Sequence, residues 1–210
     1  MESNEEKGVS KLKSNIFCLN IIGEIEGHNV SPSQNKSTKY EHVIPKLIEI
    51  EEDKKIEGLL VVLNTVGGDV EAGLAIAELI AGMSKPKVSL ILGGGHSIGV
   101  PLAVAADYSF IAPSATMTIH PIRTNGTIIG SNQAFEYLAK LQQSITSFVT
   151  GHSSISEERL KSLMNDPTQI ANDIGTILFG KETVDCGLID ECGTIKDALD
   201  KLHSMINKNK

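Results

Sequence analysis

A chain of 210 residues, 40% of them hydrophobic, has the length of one domain and enough apolar material for a substantial core. Only eight residues are aromatic (five Phe, three Tyr, no Trp), so that core must be built from Ile, Leu, Val and Ala. Nineteen Lys and Arg against 26 Asp and Glu give a net charge of −7, and no stretch concentrates base with aromatic residues, which argues against nucleic acid as a partner.

Residues 1–14 are polar and charged with no apolar core of a secretory signal, and a disordered tail is expected there, ahead of one domain over 15–207. The run IFCLNIIGEI (16–25) is β-rich and gives way to a polar loop around 29–39 with Pro, Ser and Asn. Helical spacing follows over 40–54, with Val43, Leu47 and Ile50 on one face. GLLVVLN (58–64) is a short β-branched run of the kind buried on both faces of a parallel sheet. A helix over 70–83, a Ser84-Lys85-Pro86 break and a second buried strand at 88–92 continue the alternation. A short apolar helix (98–106), strands at 107–112 and 116–120, and a Gly-containing loop (124–130) come next. A long helix at 131–150 is capped by Gly151, and shorter helices follow at 156–165, 180–186 and 195–207. Strands alternating with helices predict an α/β fold with mostly parallel strands and βα crossovers.

No run approaches the roughly 18 apolar residues of a membrane span. Cys18, Cys186 and Cys192 form no C-x-x-C, and no H-E-x-x-H occurs, so neither a disulfide framework, a metal nor a cofactor is expected. Reduced thiols suit a cytosolic protein.

Chemistry concentrates in three places. The densest is Gly93-Gly94-Gly95-His96-Ser97-Ile98-Gly99, between a buried strand and a buried helix, where polar groups serve no packing purpose. Ser97 there would sit on a tight turn with its hydroxyl exposed, and the Ile98 amide would point out of the helix start, as a developing oxyanion requires. Simple N-capping by Ser97 is the plainer alternative. Gly67-Gly68, in Asn64-Thr65-Val66-Gly67-Gly68-Asp69 at another strand end, could bring a second amide, that of Gly68, to the same crevice; a plain turn is the alternative. His120, ending a strand before Pro121, would by itself read as a satisfied core histidine; beside Ser97 it is a natural base for a serine whose proton must leave near neutral pH, whereas His96, adjacent to Ser97, points elsewhere. Gly95-His96-Ser97-Ile98-Gly99 also fits the α/β-hydrolase elbow, whose triad order would require Ser97, an Asp such as Asp173, and His203; His203 lies among Lys and Asn in the last helix.

Four segments in order, LNTVGGDVEAGLAI, GGGHSIGVPLAVAA, TMTIHP and ETVDCGLID, resemble the proteolytic subunit of the Clp protease family over roughly 16–199. The resemblance implies a ClpP/crotonase-like fold with a long handle helix at 131–150. It also implies a serine peptidase with Ser97 as nucleophile, His120 as base and an oxyanion hole from Gly68 and Ile98. Peptides or loosely folded proteins would be substrates of a ring-like homo-oligomer. An ATPase partner is not expected, because the N-terminal segment does not match the parts that dock one. In the family an Asp precedes the helix leading into Gly187-Leu188-Ile189-Asp190. Counting back without a gap places Gly175 there, so Asp173 is taken as the acid, with Asp166 as second candidate. Without either, the chain would be a Ser–His dyad or a non-catalytic assembly protein; a crotonase-type acyl-CoA enzyme would need no serine.

Overall fold

A computed structural model describes residues 15–32, 34–124, 130–170 and 173–208; the expected N-terminal tail lies outside them. The parallel alternation is present. Strands β1 (Ile16–Glu26), β2 (Ser37–Lys39), β3 (Gly58–Gly68), β4 (Lys87–Gly95), β5 (Tyr108–Ile111) and β8 (Glu191–Cys192) form one parallel sheet in the order β2-β1-β3-β4-β5-β8. Helices α1 (Tyr40–Glu52), α2 (Val70–Gly82) and α3 (Gly99–Val104) pack together against it. Ile76, Ile80 and Leu102 are fully buried in that layer, each contributing about 1.5–3 kcal/mol of apolar burial. On a second, smaller core, Ala198, Leu202 and Ile206 of α7 (Ile195–Lys208) meet Leu60, Val88, Leu90 and Phe110. Lys87, buried at the start of β4, keeps its ammonium on Asp107 Oδ1 (2.7 Å) and the Met83 carbonyl (3.1 Å).

Three features differ from the expectation. The glycine motifs lie within strands rather than beyond them, because Gly67 and Gly68 pair with Glu24 and Ile25, and Gly95 with Thr65. The loop at 29–39 contributes β2, which pairs with the end of β1. A strand β7 (Thr176–Phe179), where none was foreseen, runs antiparallel to β6 (Thr116–Ile119), and this pair joins the main sheet through a single bridge, Gly94 to Thr116. The long helix, α4, spans Ser131–Gly151, followed by α5 (Glu157–Met164) and α6 (Gly180–Asp185).

Candidate active site

Ser97 lies in the three-residue turn (96–98) between β4 and α3 with φ +57°, the one positive φ outside glycine among the described residues. A left-handed conformation costs a residue with a side chain of order 1–3 kcal/mol, so the surroundings must impose it. They do so through backbone bonds: Ser97 N–H donates to Thr118 O (2.8 Å), His96 N–H to Thr65 O (3.2 Å), and Val100 N–H to Ser97 O (2.9 Å). Gly67, at φ +93°, leaves the space the turn needs; a Cβ there would lie 2.8 Å from Ser97 Cβ and 2.9 Å from His96 O.

Ile98 and Gly68 border one cavity with Ser97. Ile98 precedes α3, and its N–H has no acceptor among the described residues. Asp69 N–H donates to Ile25 O across the ladder to β1 (2.9 Å), and Gly68 beside it borders the same cavity as Ser97. Gly68, Ser97, Ile98 and His120 line one cavity of about 130 Å³, closed by Val70, Ile122 and Ile145 and by two polar side chains, Arg123 and Gln142.

His120 follows β6 and faces this cavity. Its Nδ1 lies 2.7 Å from Pro121 O. Among the described residues no hydrogen bond joins Ser97 Oγ to His120; apo sites commonly close such contacts only around substrate. His96 is turned away, with Nδ1 2.8 Å from Thr118 Oγ1. Burial, aided by the charge of nearby His120, pushes the His96 imidazole below its ordinary pKa.

The acids are placed elsewhere. Asp173 Oδ2 is 2.6 Å from Arg123 Nη2, and Oδ1 accepts the Ile174 amide at 2.8 Å. Asp166 Oδ1 accepts from the amide and hydroxyl of Thr168 (2.8 and 2.6 Å). Neither carboxylate has a hydrogen bond to His120. The residue that abuts His120 is Gly175, as the ungapped count put it: a Cβ there would lie 2.8 Å from His120 Cβ and 2.5 Å from Ile119 O. His203 is exposed on α7, whose Leu202 and Ile206 pack on Gly58 at the opposite end of β3 from Gly67. The elbow with a distant His203 is therefore not assembled.

Gln142 and Arg123 are the polar cavity residues that sequence reasoning missed. Gln142 Oε1 accepts the Ile122 amide (2.8 Å) and so ties α4 to the segment after His120. Its one signal was the spacing to Ile145 on a helix face, too common to single out.

The profile of the Clp protease family matches residues 21–196. Translocation-enhancing protein TepA of Halalkalibacterium halodurans is 61% identical over 196 residues, covering 93% of this chain and 77% of its own. Proteolytic subunit 1 of the ATP-dependent Clp protease of Chlamydia muridarum is 33% identical over 89 residues, 41% of this chain and 46% of that one. The Clp proteolytic subunit of Streptococcus pneumoniae is 26% identical over 156 residues, 71% and 75% of the two chains. The α/β architecture with its mostly parallel sheet is consistent with the ClpP/crotonase-like fold.

Proposed function

Because the chain belongs to the Clp protease family, we propose that it is a serine peptidase cleaving peptides or loosely folded proteins through an acyl-enzyme. The observation that carries this is the strained Ser97 sharing one cavity with His120 and with the Gly68 and Ile98 backbone. In the reaction, His120 Nε2 takes the Ser97 hydroxyl proton as Oγ bonds to the scissile carbonyl carbon. The carbonyl electron pair moves onto oxygen, where the two amides stabilise it. Collapse breaks the C–N bond, and His120 returns the proton to the leaving amine. Water, deprotonated by His120, then releases the acyl group from Ser97.

Small or aliphatic side chains would precede the cleaved bond, since Val70, Ile122 and Ile145 wall the cavity. No step of this reaction uses Asp173, whose carboxylate pairs with Arg123. The proposal also includes a ring-like homo-oligomer acting in the cytosol without an ATPase; among the described residues no helix is long and apolar enough to cross a membrane.

Intact mass after fluorophosphonate treatment tests the chemistry. A single adduct is expected on the wild type and none on Ser97→Ala or His120→Ala. An adduct of equal yield on Ser97→Ala would overturn the assignment. One observation favours a second possibility, an assembly protein without catalysis: neither Asp173 nor Asp166 bonds to His120, and the residue abutting it is Gly175, where the ungapped count sets the acid. It would form the oligomer and take no label.

A further inference from the structure

Resting on that serine-peptidase proposal, we infer that the backbone carbonyl of Pro121 takes the place of the triad acid, making Pro121 the positioning residue of a Ser97–His120 dyad. A carbonyl oxygen has no proton to give, so at 2.7 Å the hydrogen between it and His120 must sit on Nδ1. Neutral His120 is thereby held as the Nδ1–H tautomer, and Nε2 is left as the acceptor that a base needs. This is the orientation a triad carboxylate would enforce. Proline suits the role, because its ring fixes φ and restricts His120 to extended backbone, which together limit where that carbonyl can point.

The candidate acids hold partners other than His120. At Gly175 the backbone has φ +135°, and any side chain would meet Ile119 O and the His120 Cβ. Asp173 spends one oxygen on Arg123 and the other on the Ile174 amide. Asp166 spends its Oδ1 on Thr168. A neutral carbonyl stabilises the imidazolium less than a carboxylate does, so the dyad works more slowly than a full triad, with the oxyanion amides carrying more of the rate.

Nitrogen-15 NMR of the intact protein at pH 8 tests this. The expected result is a pyrrole-like Nδ1 and a pyridine-like Nε2 for His120 in the wild type and equally in Asp173→Asn. A pyridine-like Nδ1 in the wild type, or a change of tautomer in Asp173→Asn, would overturn it. The rate of fluorophosphonate labelling gives a second arm. Asp173→Asn is expected to stay within about twofold of wild type, since the substitution loses a half-exposed ion pair. A fall of ~10³–10⁴-fold in a folded, assembled Asp173→Asn would restore Asp173 as the acid. Wild type that takes no label would defeat the peptidase proposal, and the tautomer of His120 would still decide this one.

Discussion

Gly67 faces Ser97 so closely that a methyl group has nowhere to go, and its φ of +93° is one that side chains avoid. Gly67→Ala is expected to lower stability by roughly 1–3 kcal/mol and to slow labelling of Ser97. Gly82, at the end of α2, has nothing within 4 Å of its would-be Cβ and no positive φ, so Gly82→Ala is expected to be neutral or stabilising by up to about 1 kcal/mol. Thermal melts of the two variants check the contrast. His96 sets a pH dependence. Its folded pKa is lowered, so the unfolded chain binds the proton more readily, and stability is lost as pH falls through the ordinary histidine value near 6.5. Between pH 7.5 and 5.5 the melting temperature of the wild type is expected to fall more than that of His96→Asn. That Ser97, His120 and Gly68 would gather round one cavity was legible, because neighbouring strand ends of a parallel sheet form a common crevice. The partner of His120 was not, since a backbone carbonyl has no sequence signature and the placement of Asp173 depends on which cation its loop meets.

At the scale of elements, buried strands and amphipathic helices were readable from periodicity, and the match of α4 to within one residue rests on its twenty-odd residues of pattern. The four-residue β7 alternates inward Thr176 and Leu178 with outward Ile177 and Phe179, but so short a run is indistinguishable from a loop. The extra length of β3 and β4 escaped because glycine reads as a breaker, while a neighbouring strand can carry the ladder through it. α7 covers its face of the sheet mainly through Leu202 and Ile206. Leu202→Ala is expected to destabilise by about 2–5 kcal/mol while leaving labelling of Ser97 intact below the melting temperature. Circular-dichroism melts paired with labelling at low temperature separate the two effects.

At the scale of the whole molecule, the apolar groups left outside the cores matter most. Phe135 and Tyr137 on α4 and Phe179 on β7 are each more than half exposed, with Phe135 at 74%. In the proposed oligomer these surfaces are the ones with most to gain from a second copy. Phe135→Glu is expected to shift sedimentation velocity toward smaller species; an unchanged distribution would remove α4 from the contact. Oligomeric faces of this kind were only partly legible, because Phe135 sits in a helix whose pattern gives no hint of which side meets a neighbour.

The union of the two sheets has a mechanical consequence. Ser97 is anchored to the end of a long parallel sheet and His120 to a small antiparallel one. Between these plates run the single bridge from Gly94 to Thr116, the bond from Ser97 N–H to Thr118 O and the contact of His96 Nδ1 with Thr118 Oγ1. Ser97 and His120, the proposed nucleophile and base, thus stand on opposite sides of a seam, and any shift of the small plate would change their spacing. Met117, Ile119 and Leu178 of the small plate are buried in the main core, so parting the seam would cost about 1.5–3 kcal/mol for each side chain drawn out, besides hydrogen bonds worth about 0.5–1.5 kcal/mol each.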